Sequence, residues 1–432
     1  MTALSEKQFE AAKTAAAALD DAAGDLRVLS SLNWDNAMRE PFLTRGVMPA
    51  PDYPTVDTSN AREAIAHAKT FIDGDHVVME WLNRLCTTLD TTASLIETRG
   101  TKEFFHHSAE LYGRPTRIML DKQTRVLDLA EHMDATLAGI DFDQLVVQGY
   151  EGELDAEEFA EALEEKLEHH FGKDAPNVLV SDKVTAKAAA SSTRIRVRSD
   201  AEFTHNDVDQ LLHHEALIHS ATGMNGKLQE NFPILGRGHP GTTEIQEGLA
   251  VFAEIITGNM DPRRFRRLSG RVMAIQMTID GADFKEVFDW FVGRGYSREQ
   301  AYENTRRIFR GGVMTGGAPF TKDMVYLNGL LRVHNFIRSV VKIRRADLIR
   351  VLFVGKLDVE DIPALSQLAS MGRIDPPKFM PPWAKDLRFL VSYMAYSAFL
   401  NQVKMPGFQA YYEKELDEVP DVWAFADGDP ET

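Results

Sequence analysis

The sequence predicts a mainly α-helical fold with a small β-sheet. Apolar residues recur at three- and four-residue spacing over most of the chain, the pattern of helices with one buried face. Only two short segments, near 177 and 193, alternate as strands do. The 432 residues are 44% hydrophobic and 26% charged, which supplies a large core and excludes disorder as the main state.

In chain order, an Ala-rich segment at 5–24 reads as the first helix. Four prolines between Pro41 and Pro54 predict an interrupting loop over 39–60. Helical periodicity returns at 61–72, 76–98, 121–135 and 155–171. The character changes near 177. NVLVSD (177–182) and TRIRVRSD (193–200) read as strands. In the second, Ile195 and Val197 form an apolar face and Arg194, Arg196 and Arg198 a basic one. Helices resume near 205 and run to about 416, broken by a glycine-rich loop at 311–318 and by PPKFMPP at 376–382. The expected organisation is a helical N-terminal region over 1–175, a second region over 176–419 and an acidic tail over 420–432.

Lys and Arg number 48 against 65 Asp and Glu, a net charge of −17, which argues against nucleic acid and anionic membranes as partners. Cys86 stands alone, so no internal disulfide forms, as in a reducing compartment. Glu6, Lys7 and Glu10 interrupt the N-terminus where a signal peptide needs apolar residues, and no apolar run approaches the roughly 18 residues of a membrane span. The expectation is a cytoplasmic protein.

The chemically informative segment is FTHNDVDQLLHHEALIHSATGMNG, 203–226. Thr204 and Asp207 suit a capping box, with Phe203 and Val208 as a hydrophobic staple. Inside it lie His214, Glu215 and His219. The zinc-protease pattern HExxH sets its histidines four residues apart, about 40° around a helix. Here they are five apart, about 140° in a regular helix, where they would not meet at one metal. Two readings follow: surface histidines on a regular helix, or a π-bulge that brings the rings together.

A second segment, PGTTEIQEGLAVFAEIITG (240–258), reads as a helix. Thr243 and Gln246 suit its cap, and Gly258 its end. Leu249, Phe252 and Ile256 form an apolar stripe, and Glu247 and Glu254 share another face. Glu247, 28 residues beyond His219, is either an acid favoured by the helix dipole or the third ligand of a two-histidine, one-glutamate zinc site. Glu254 is either structural or a partner that orients a ligating histidine. Zinc in such a set acidifies water, and Glu215, next to a ligand histidine, would carry the proton to the leaving amine. The basic strand just before the helix is expected to be an edge strand that holds an extended peptide.

A third segment, RIFRGGVMTGGAPFTKDMVYLNGL (307–330), places Arg310, Lys322 and Tyr326 around a glycine loop. It lacks the Gly-Lys-Ser/Thr of a Walker loop. The cations suit a substrate carboxylate and the tyrosine an oxyanion, beside the plainer duties of ion pairing and packing.

HEALIH, the NG at 225–226, QEGLA at 246–250 and GGAPFTKDMVYLNG at 316–329 together resemble the bacterial QEGLA-motif proteins, labelled flavohemoglobin expression-modulating. That family is related to the eukaryotic microtubule-associated tyrosine carboxypeptidases. LRVLSSLNWD (26–35) and ELYGRP (110–115) extend the resemblance over nearly the whole chain. It implies a zincin-like metallopeptidase core, with His214, His219 and Glu247 holding Zn2+ and Glu215 as catalytic acid/base. The eukaryotic relatives remove a C-terminal tyrosine from tubulin. The acidic N-terminal half of this chain departs from a microtubule binder's basic character, so the resemblance carries the activity class and not that substrate. The leading expectation is a zinc carboxypeptidase acting on a peptide or protein C-terminus. The alternatives are a zinc amidase on a small peptide-like metabolite and a metal-binding regulatory protein without turnover.

Overall fold

The computed structural model describes residues 4–140, 153–182, 184, 187–400 and 405–416. The expected tail from 420 lies outside them. The described residues are mainly helical, with two small sheets. The first helix, Glu6–Asp25, starts at Ser5, whose hydroxyl caps Gln8 in a reciprocal capping box. Helices over Ser59–Lys69, Val77–Glu97, Val126–Ala138 and Ala156–Phe171 follow the sequence periodicity. The proline-rich segment differs from expectation: Arg39–Arg45 is helical. Pro41 falls in its first turn, where the backbone N–H has no helical partner to lose, and left-handed Gly46 ends the helix.

The larger sheet joins β2 (Asn177–Ser181), β3 (Ala188–Ala190) and β4 (Arg194–Arg198) in the order β2-β4-β3. A two-stranded sheet pairs β1 (Glu153–Leu154) with β5 (Phe203–Thr204). β4 runs parallel to β2 and antiparallel to β3. The basic strand is therefore central and not an edge, because both its backbone sides are already paired. The edges are β2 and β3, and the three alanines of β3 carry no alternation for sequence reasoning to find.

Three apolar clusters organise the molecule. The first joins N-terminal residues such as Phe9, Leu19, Trp81 and Leu82 to Ile245, Leu249, Phe252 and Val325, so it draws on both sides of residue 175. The second packs Phe159, Leu163 and Leu167 against Ile195, Val197, Leu212 and Leu217. The third gathers Trp34, Phe42, Phe284, Phe288, Phe291 and Tyr302. The helices Pro240–Ile256 and Met324–Lys342 cross at Gly248 and Gly329, where a Cβ on either residue would collide with the other helix's backbone. That close approach brings Glu247 and the Lys322–Tyr326 segment onto one wall.

Candidate metal centre

The helix that begins at His205 is capped as expected: the Thr204 hydroxyl accepts from the Asp207 amide, and the Asp207 carboxylate accepts from the Thr204 amide. Its regular portion ends at Leu211. A π-helix then runs over Leu212–Ser220, and α-geometry returns at Ala221–Lys227. Pairing of residues five apart makes His214 and His219 neighbours on one face. Their rings lie 5.0 Å apart, nearly perpendicular. Polar groups from elsewhere support the widened turns. Lys356 Nζ donates to the His219 carbonyl (3.2 Å), and the Ser220 hydroxyl donates to the Ser191 carbonyl (2.9 Å). Gln246 Oε1 accepts from both Thr222 and Lys356.

Glu247 reaches the same point from the Pro240–Ile256 helix. This helix starts at Pro240, earlier than the Thr243–Gln246 cap would place it, because His239 and Thr242 form the capping box. Glu247 Oε2 lies 3.7 Å from Nε2 of both His214 and His219. One ligand atom from each of the three residues falls within 4.8 Å of the others, a compact donor set that could hold a metal ion. Imidazole and carboxylate suit zinc, so the residues present fit that ion.

Behind them lies a second layer. His214 Nδ1 is 2.5 Å from Glu254 Oε1, and Glu254 is completely buried. Arg264 forks the same carboxylate at 2.6 and 2.8 Å. Burial opposes the Glu254 charge, but Arg264 and His214 hold its carboxyl down at about 2. Burial likewise opposes a charged His214, and Glu247, Glu254 and Glu215 overcome it, raising the imidazole to about 10. Burial would raise Glu247 too, yet Lys322 and the two histidines hold it well below the usual carboxylate range. The carboxylates thus concentrate negative charge at the centre, beside the imidazoles.

Glu215 faces this centre, its Oε1 4.0 Å from His214 Nε2. Its Oε2 accepts the Ala190 amide of β3 at 2.9 Å, so the sheet edge and the acid/base candidate are directly linked.

Lys322 and Tyr326 also arrive at the centre. Lys322 Nζ donates to Glu247 Oε1 (3.2 Å) and stands 5.0 Å over the Tyr326 ring. The Tyr326 hydroxyl accepts from Arg307 Nη2 at 3.5 Å. Arg310 lies over the Phe320 ring, its Nε buried without a hydrogen-bond partner, and burial together with Arg307 lowers it to about 10.

Sequence reasoning missed Arg264, Arg307, Asp323 and Lys356. Arg307 forks Asp323 with two contacts of 2.7 Å, and Arg271 flanks that carboxylate at 3.5 Å. One signal was available for Arg264. PRRFRR opens the Pro262–Ile279 helix, and arginines in a first turn oppose the helix dipole, so other partners must hold them. Lys356 carries no such signal, lying 110 residues from Gln246.

The arrangement offers two imidazoles, a carboxylate, an adjacent second carboxylate and a cationic wall. The family model for microtubule-associated tyrosine carboxypeptidase matches residues 42–402. No curated protein matches the chain.

Proposed function

The chain belongs to the microtubule-associated tyrosine carboxypeptidase family, and from that premise we propose a zinc-dependent carboxypeptidase that releases the last residue of a peptide or protein. The observation that carries this reading is the meeting of His214, His219 and Glu247 within 4.8 Å, with Glu215 beside them. In this reading the π-helix, the mixed sheet and the return helix form a zincin-like core. Bound zinc supplies acidified water and polarises a carbonyl.

The chain's own residues do the rest. His214, His219 and Glu247 hold the ion. Glu254 accepts the Nδ1 proton of His214 and leaves Nε2 free for ligation. Glu215 takes the proton of the attacking water and delivers it to the leaving amine. The Ala190 amide orients its carboxylate for that transfer. The Tyr326 hydroxyl donates to the developing oxyanion, and Arg307 and Lys322 beside it favour that negative charge. Lys322 and Arg310 add positive potential for a substrate carboxylate. The β3 edge next to Glu215 receives the extended peptide backbone.

Metal analysis of the purified protein tests the first half of this reading and should find about one zinc per chain. Release of the last residue from a tyrosine-ended peptide tests the second. Glu215→Gln should keep its zinc and lose turnover by roughly 10²–10⁴-fold or more. Zinc loss in that variant would remove Glu215 from its role, and cleavage confined to small amides would favour an amidase.

A further inference from the structure

The Pro262–Ile279 helix carries Arg264, Arg267 and Arg271 at spacings of three and four, which places them along one side. Two of the three are committed. Arg264 forks Glu254, and Arg271 donates to Asn304 Oδ1 at 3.0 Å beside Asp323. Arg267, between them, makes no hydrogen bond or ion pair among the described residues, and it is half-buried. The charged and titratable groups around it are Arg264, Arg307, Asp261 and Tyr296. Burial and the cation of Arg264 both work against its charge.

Its neighbours locate it. Arg264 Nη2 lies 3.5 Å from His214 Nδ1, and Arg307 Nη2 lies 3.5 Å from the Tyr326 hydroxyl. Along the helix side Arg267 therefore lies between Arg264, at the His214 end of the proposed reaction centre, and Arg271, whose guanidinium stands 6.0 Å from the centre of the Tyr326 ring at the other end. Asp261 and Tyr296 only partly offset the cations of Arg264 and Arg307, so a half-buried guanidinium with no carboxylate bonded to it is costly, and a planar two-oxygen anion relieves it in the fork geometry arginine prefers. The other cations are less free to do this. Lys322 is held by Glu247, and Arg310 is pressed on Phe320 with Nε closed off.

We propose that Arg267 binds the free α-carboxylate of the peptide's last residue and so restricts the site to chain ends. This rests on the carboxypeptidase reading above, and a binding experiment separates the two. Acetyl-Ala-Ala-Ala-Tyr, as free acid and as amide, is titrated calorimetrically into zinc-loaded Glu215→Gln protein. In parallel, the unmodified protein is assayed for tyrosine release from the free acid.

The acid should bind about tenfold or more tighter than the amide. That preference should vanish on adding Arg267→Met, survive in part with Arg267→Lys, and persist with Arg345→Met, which removes an exposed arginine paired with Asp347. Equal binding of acid and amide, or a preference that outlives Arg267→Met, overturns the proposal. Preferential binding without tyrosine release keeps Arg267 as a carboxylate site and removes the carboxypeptidase reading. Tyrosine release with an acid preference indifferent to Arg267 does the reverse. Because Arg267 has no partner to lose, Arg267→Met should not lower the melting temperature. Unfolding of both Arg267 variants would assign it structural duty and also overturn the proposal.

Discussion

His214 divides its work between two nitrogens: Nε2 faces Glu247, and Nδ1 faces Glu254. Such outer partners are worth about 10–100-fold in metal affinity. Glu254→Gln should weaken zinc binding by that factor in a competitive chelator titration, with the fold intact by circular dichroism. Unchanged affinity would reduce Glu254 to a structural acid. Asp323 offers a test of the cationic wall. Burial raises its carboxyl, but Arg307 and Arg271 overcome that and hold it far below the usual 3.8. A folded pKa below the unfolded one gives stability that is present above 3.8 and lost as pH falls through the folded value. Asp323→Asn should therefore cost about 3–5 kcal/mol in urea unfolding near neutral pH, since it strands buried arginines. The gap to the parent protein should narrow below pH 3.8. A gap that ignores pH would contradict the pairing. At this scale the sequence exposed His214, Glu215, His219 and Glu247 through spacing. It hid Asp323 and Lys356, whose partners lie 16 and 110 residues away.

Among elements, the irregular helix is the informative one. Five-residue spacing predicts a local bulge between the histidines, and the structure extends it to a π-helix over Leu212–Ser220. The extent depends on outside donors and acceptors, Lys356 and the Ser191 carbonyl, which no local pattern reveals. The cap at Thr204 was legible because a reciprocal pair three residues apart is a local matter. The Gly248–Gly329 crossing was not, since a glycine in a helix does not announce what approaches it. Gly248→Ala forces the two helices apart beside Glu247. It should destabilise by about 1–3 kcal/mol or more and reduce zinc content, read by thermal unfolding and metal analysis. A variant as stable and as metal-loaded as the parent would mean the crossing relaxes freely.

For the whole molecule, the π-helix is a seam. Leu217 belongs to the core of the sheet region, and Ile218 to the core shared with the N-terminal helices. The proposed ligands join this seam to the Pro240–Ile256 helix, so a metal held by them would be coupled to global stability. Removing zinc with a chelator should lower the melting temperature reversibly. At free zinc 1,000-fold above its dissociation constant, the stabilisation is about 4 kcal/mol. A melting curve indifferent to chelation and zinc return would place the ion off this seam. No helix among the described residues is long and apolar enough to cross a membrane.

By itself the sequence determined the helical character, the strands at 177–181 and 194–198, and the residue types of the centre with the irregularity they require. These are local properties: periodicity, caps and short spacing act through the few residues on either side. Tertiary structure alone decided that β4 is central with β2 and β3 at the edges, that Arg264 pins Glu254, and that Arg267 has no hydrogen-bonding partner among the described residues. The physical reason is that strand order and ion pairing between distant segments are set by how the apolar faces pack. A charged side chain's role depends on which neighbour that packing brings within reach.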